Sequence, residues 1–289
     1  MENTAKIKIV FFAILVIFLS GCSQEGKHNK TESEVNNIEQ NVTQKVNTFT
    51  LSNVGDDGES NWQLEGESAD IADNDINLTN VLVKSQSKDA NVTMKAKKGL
   101  IKKNEDKGEF KDDVVLVYDD GTTMNTDAID WSFKKQTANA KGPVLVKSGG
   151  LETKADGACL KKGVNEIRLD RNILMKTDSG TIIKCSGPLM LDYKKNIAVF
   201  NKDVEITNQK GNMKSKKMVV FFDPEKKEVS KVEASGNVRL VRGKSISMSD
   251  RALYFAKEGR AVLTGNPIVF VDSEEARAAT KEQNASLKN

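Results

Sequence analysis

Short runs in which apolar and polar residues alternate recur along most of the chain: TNVLV, DDVVLVY, GPVLV, RNILM, KDVEI, GNVRL and NPIVF, each entered through a polar or Gly/Pro turn. Their first apolar positions are Val81, Val114, Val144, Ile173, Val204, Val238 and Ile268, at intervals of 33, 30, 29, 31, 34 and 30 residues. So steady an interval over seven occurrences marks a stacked repeat architecture. Period-two alternation with Gly-rich breaks predicts strands rather than helices, and no amphipathic helix is legible between Trp62 and Val271.

A second strand recurs between these anchors, as AIDWSF (128–133), PLMLDY (188–193), KMVVFF (217–222) and RALYFA (251–256). Short polar strands such as TTMNTD, GNMKSK or KSISMS precede it, so one repeat reads as two or three short strands with turns at DDG, QKG or RGK. Alternation assigns a greasy face to Ile129, Trp131 and Phe133, to Leu189, Leu191 and Tyr193, to Met218, Val220 and Phe222, and to Leu253 and Phe255. The anchor strands add Val114, Leu116 and Tyr118, then Val144 and Val146, Val204 and Ile206, Val238 and Leu240. An all-β fold with two half-buried walls follows, as in a folded-over sheet or solenoid. Repeats stacked about 4.8 Å apart would enclose a slot about 30 Å long. Pattern alone leaves two readings of the inward residues: they meet as an ordinary core, or the walls stand apart and hold something apolar. A parallel β-helix shares the periodicity, although its coils are usually shorter and the Asn ladders it often carries are absent.

The two ends differ from this body. Lys6 and Lys8 precede an apolar run from Ile9 to Leu19, too short to span a bilayer comfortably and suited to a signal peptide (residues 1–21). The run ends in LSGC, and small residues before Cys22 resemble the lipobox of bacterial lipoproteins, which makes Cys22 the lipidation site and the membrane tether. Residues 22–60 are polar with scattered apolar positions and are expected to be a disordered tether. Residues 272–289 read as a polar tail.

Composition removes several classes of function. With 44 Lys+Arg against 41 Asp+Glu and no basic block with interleaved aromatics, no nucleic-acid partner is expected. The single histidine, His28, lies in the tether and leaves a triad or a His-metal site without material. Asp127 and Asp130 are three apart on a strand and point to opposite faces, so they cannot share a proton. Asp119, Asp120 and Gly121 read as hairpin-turn chemistry, without the spaced acidic ladder of a calcium loop. No metal, cofactor or catalytic residue is expected, and the protein reads as a non-enzyme. Cys159 and Cys185 fall on neighbouring repeats at displaced strand positions, and two free thiols are expected.

Particular stretches resemble a known family. WQLEGESADI (62–71), NLTNVLV, VVLVYDDGTTMNTDAIDW and GPVLVKSGGLETKADG are similar to LptC of the lipopolysaccharide-export machinery. AVFNKDVEITNQKGNMKSKKMVVFF and VEASGNVRLVRG resemble the OstA or LptA domain of the same pathway. The resemblance divides the body into an LptC-like part (61–160) and an OstA/LptA-like part (161–271). It implies an open, twisted β-jelly roll, or β-taco, whose interior cradles lipid A acyl chains. The implied partners are lipopolysaccharide, LptF and LptG at the N-terminal edge, and LptA, LptD or a second copy at the last strand. Such a protein is a periplasm-facing lipoprotein, anchored in the inner membrane rather than the outer. LptC commonly has a transmembrane anchor, and this chain departs from it in using Cys22. The alternative is a structural or adhesive surface lipoprotein with a closed, dry core; a β-helical polysaccharide lyase would need an exposed carboxylate and basic cluster that is not found.

Overall fold

The computed structural model describes residues 44–54, 60–86, 91–105, 107–132, 135, 137–161, 166–192, 195–209, 211–225 and 229–272. Every regular element among them is a β-strand. The strands are β1 (Gln44–Val54), β2 (Ser60–Ile71), β3 (Asp75–Ser85), β4 (Val92–Lys102), β5 (Lys107–Tyr118), β6 (Thr123–Ser132), β7 (Thr137–Ser148), β8 (Leu151–Lys161) and β9 (Glu166–Leu169). There follow β10 (Ile173–Thr177), β11 (Ile182–Cys185), β12 (Leu189–Asp192), β13 (Ile197–Asn208), β14 (Gly211–Phe222), β15 (Val229–Arg242), β16 (Ser245–Phe255), β17 (Arg260–Thr264) and β18 (Ile268–Phe270).

All pairings are antiparallel and the sheet is a meander. Both β9 and β10 lie against β8, end to end in one row. Strands β11 and β12 form the next row against β13, and β17 and β18 the last against β16. Fifteen rows result. At about 4.8 Å per interval they extend about 67 Å, roughly twice the length expected from the repeat. The difference arises because each repeat contributes a hairpin of two rows rather than one layer. The sheet continues across residues 160 and 161, since β8 pairs with β7 on one side and with β9 and β10 on the other.

Most of the polar turns before the anchors are corners inside long strands, and those before Ile173 and Ile268 are corners between two short strands laid end to end in one row. Residues Asn80, Asp112, Asp113, Asn172, Lys202, Asp203, Asn237 and Asn266 take φ between 49° and 64°. At Lys111/Val114 and Asn201/Val204 the strand gains a residue on its neighbour, and pairing resumes at once. An extra residue of this kind bends a strand without ending its ladder, and Asn or Asp tolerates the left-handed conformation better than most side chains. Residues 123–127 and 128–132, on either side of the corner, therefore form the single strand β6, and residues 245–249 and 250–255 form β16.

Polar side chains tie the corners together. Asn172 Nδ2 donates to Asp156 Oδ2 at 2.6 Å, Ser186 Oγ to Asp203 Oδ2 at 2.9 Å, and Asn80 Nδ2 to Glu67. On the strands between, Ser215 Oγ donates to the Lys217 carbonyl at 3.1 Å and Ser249 Oγ to that of Arg251 at 2.9 Å. The result is a crease dividing each row into a half-strand before the corner and one after it. Inward residues of both halves form one buried cluster, so the two walls pack face to face.

The tether expectation fails from Gln44 onward, where β1 begins. Phe49 packs against the core, and ten of the strand's residues are in register with β2. Scattered apolar positions were enough because β2 supplies the ladder partners. Cys22, His28, the signal segment and residues 273–289 lie outside the described residues.

Candidate lipid slot

Each bent strand places alternate side chains inside, and register aligns them between rows. In the first wall, Ala140, Ala158, Leu169, Leu189, Phe200, Met218, Ala234 and Ala252 succeed one another across eight rows. All are buried, from 0% at Leu189 and Met218 to 8% at Ala252.

The second wall carries a longer ladder, with one residue from every row. It runs Leu51, Leu64, Val83, Met94, Leu116, Met124, Val146, Thr153, Met175, Ile183, Ile206, Met213, Leu240, Ser247 and Val269. Thirteen of the fifteen are apolar. Exposure along it is graded: Met124 is 1% exposed, Ile206, Met213, Leu240 and Ser247 are half-buried, and Val269 is 54% exposed. At the other end Leu51 is 39% exposed. The ladder is thus sealed in the middle and open at both sheet edges.

Most of the expected slot residues take the inner face. Val114, Leu116, Ile129, Val144, Val146, Leu189, Val204, Met218 and Val220 are buried in the cluster. Tyr118, Trp131, Leu191, Ile206 and Phe222 pack against it half-buried. Phe133 and Tyr193 lie outside the described residues. Leu253 and Phe255 are placed on the other face, opposite Glu233 and Lys231, with the Arg260 guanidinium 4.7 Å from the Phe255 ring centre. Ala252 takes the inward position opposite Ala234. RALYFA is apolar on both parities, and only the pairing with β15 decides between them.

The alternation analysis missed Phe110, Met124, Met175, Ile183 and Phe200, all buried. One signal was available for two of them. Phe110 and Phe200 each stand four residues before an anchor, as do Ala140, Leu169 and Ala234. These positions face inward because the corner between them and the anchor preserves parity.

Charged groups stay on the outer face and at the tips. Asp127 is exposed at the β6 corner, and Asp130 pairs with Lys141. Asp119, Asp120 and Gly121 close the β5–β6 hairpin, where Thr122 N donates to Asp120 Oδ1 at 2.8 Å and Gly121 has φ 82°. A hydrogen bond from Lys111, 2.8 Å away, holds the Glu109 carboxyl below its ordinary range. Asn212, and then Lys214, do the same for Glu205. Cys159 and Cys185 are free thiols, as expected. They also point to opposite faces: Cys159 is opposite Arg168 on the outside, and Cys185 opposite Ile173 within. Among the described residues no group of His, Cys, Asp and Glu is placed to hold a metal, and no helix is long and apolar enough to cross a membrane.

Two family models match different parts of the chain. Residues 186–286 match the family described as LptA/(LptD N-terminal domain) LPS transport protein. No curated protein matches. Among solved structures, LptH, the LptA homologous periplasmic component of the lipopolysaccharide transport device of Pseudomonas aeruginosa, is similar at 12% identity and a TM-score of 0.34, over 52% of this chain and 94% of that one. The family described as lipopolysaccharide-assembly, LptC-related, matches residues 8–173, more than half of the sequence, and the chain belongs to it.

Proposed function

We propose that the folded sheet carries the acyl chains of lipopolysaccharide between its walls. Periplasmic lipopolysaccharide transport is the work of the families to which both parts of the chain are matched. The observation that supports the finer reading is the ladder from Leu51 to Val269, which offers an apolar side chain in nearly every row from one edge to the other. Acyl chains in water cost about 0.8 kcal/mol per CH₂, so a lipid with several chains needs an apolar path without gaps. The walls meet in the middle and part to admit chains, entering from an edge where the ladder is already exposed.

On this reading the protein is a non-enzymatic bridge component. Cys22 carries the lipid that tethers it, with the inner membrane as its site. Edge strand β1 faces the transporter proteins LptF and LptG, and β17 with β18 faces LptA, LptD or a second copy. An exposed apolar edge either aggregates or pairs with a partner, and Ile268, Val269, Phe270 and Val271 are 51–58% exposed. The sealing of Met124, Leu189 and Met218 favours a second reading, a structural lipoprotein whose core stays dry.

Photocrosslinking separates the two. Trp131 and Phe222 are half-buried inner aromatics six rows apart, and each accepts a photoreactive aromatic in its place. Covalent capture of lipopolysaccharide in cells from both positions is expected. An exported, folded protein that captures none at either position overturns the conduit reading and leaves the dry core.

A further inference from the structure

The outer face of the first wall changes character along the sheet. One ladder of outward residues runs Glu109, Asp130, Asn139, Cys159 and Arg168 through β5 to β9, with only polar or small side chains. From β12 onward the same ladder continues as Met190, Val199, Val219, Leu253 and Val262, interrupted only by Glu233. A second outward ladder, farther from the crease, adds Ile197, Phe221 and Phe255. None of these eight apolar residues packs against the core, and all are part-exposed. The carboxylate of Glu233 is neutralised by Lys231 Nζ at 2.8 Å, which also lies 4.1 Å from the centre of the Phe221 ring.

Cations border this patch on its crease side. Lys217 and Arg251 stand on the next outward ladder, and Lys202 and Lys216 at the corners beside them. All four are exposed, and none has an ion pair among the described residues. The carboxylates of the same corners are held by other neighbours: Asp203 accepts from Ser186 and Asp250 from Asn266. Four uncompensated cations therefore line one side of an apolar patch.

The patch is about 24 Å long and two outward positions, about 7 Å apart, wide, far below the roughly 800 Å² that a stable protein partner covers. A bilayer surface sets no such minimum, because it offers acyl chains and phosphates everywhere at adjacent depths. Along the strand the cations stand about 7 Å from the nearer apolar ladder and about 13 Å from the farther. A wall entering at a tilt thus puts its aromatics among acyl chains while its cations stay among phosphates. Clustered Lys and Arg beside apolar groups are complementary in charge to an anionic leaflet.

We propose that the outer face of the first wall, from Met190 to Val262, docks on an anionic phospholipid bilayer, with Ile197, Phe221 and Phe255 in its apolar layer and Lys202, Lys216, Lys217 and Arg251 on its phosphates. The inference is independent of what the slot carries.

The test mixes the purified full chain with vesicles of phosphatidylcholine alone, or of phosphatidylcholine and phosphatidylglycerol in equal parts. A photoreactive phenylalanine replaces Phe255, or Asn139 as a control on the polar part of the same face, and phospholipid adducts are read by mass spectrometry. Attachment through the N-terminal segment is common to both vesicle types, so the adducts report contact of the face itself. At low salt Phe255 is expected to give about tenfold more adduct with the anionic vesicles than with the neutral ones, and Asn139 little with either. High salt, and a variant joining Lys202→Gln, Lys216→Gln, Lys217→Gln and Arg251→Gln, are expected to remove that excess. A control of equal charge change joins Lys95→Gln, Lys154→Gln, Lys176→Gln and Lys184→Gln, exposed on the outer face of the second wall, and is expected to keep it. Equal adduct from Asn139 and Phe255, no excess with anionic vesicles, an excess that survives in the first variant, or the same loss in both variants overturns the docking face. A Phe255 adduct to a protein in cells, with none to phospholipid in vesicles, assigns the face to a protein partner and overturns it too. Lipopolysaccharide capture from Trp131 and Phe222 is read separately, so failure here leaves the slot standing.

Discussion

The ring of Phe49 on β1 lies 2.6 Å from where a Cβ on Gly66 of β2 would stand. Only glycine leaves room for the ring there, and the ring is what fixes the edge strand to the core. Gly66→Ala is expected to cost about 1–3 kcal/mol by overpacking. In a Phe49→Ala background the same change should cost much less. A double-mutant cycle by denaturant unfolding reads the coupling, and additive costs would show that the edge is held by backbone pairing alone.

Asn172 has φ 52° and donates to Asp156 of the neighbouring corner, along the crease. Asn172→Gly keeps the conformation and loses only the hydrogen bond, whereas Asn172→Val loses both. The valine variant is expected to be about 1–2 kcal/mol less stable than the glycine variant. Equal thermal midpoints for the two would remove left-handed strain from the account of the corners.

The two thiols of the body report on opposite faces. Half-buried Cys159 is expected to react with a maleimide in the folded protein, while Cys185, 5% exposed and with its thiol pushed up by burial, reacts only as the walls part or the chain unfolds. Labelling of Cys159→Ser and Cys185→Ser variants, followed by mass, measures each rate. Fast labelling of Cys185 without denaturant would show that the slot stands open.

Leu240 and Val220 separate transport from stability. At 4% exposure Val220 has no water for a charge, and Val220→Asp is expected to unfold the protein or cost several kcal/mol. Leu240 is half-buried on the ladder, so Leu240→Asp should fold while losing lipopolysaccharide crosslinking at Phe222. Retained crosslinking in a folded Leu240→Asp protein would move the lipid path off the second wall.

Glu205 has a lowered folded pKa through Asn212 and then Lys214. A lowered carboxyl pKa contributes stability above its unfolded value of about 4.3, and that contribution disappears as pH falls through the folded pKa. The thermal midpoint should therefore be flat above about pH 5 and fall below about pH 4, with a shallower fall in Glu205→Gln. An identical acid limb in that variant would leave the fall to Glu105, Glu109 and Asp112, whose pKa values are also lowered by lysines.

Local rules determined much of this protein. Alternation at Val114, Leu116, Met218 and Val220 requires strands with one greasy face, and the near-constant anchor interval requires stacking, since both depend only on neighbours along the chain. Tertiary structure decided what depends on pairing. Whether a DD or KD pair ends a strand or bends it is settled by the ladder resuming on the next strand, and this made one long bent row of what reads as two short strands. Which parity of RALYFA faces inward is settled by Ala234 and Val232 on β15, because Ala252 and Leu253 are both apolar. Gln44–Val54 became a strand only because β2 offers it a complete edge.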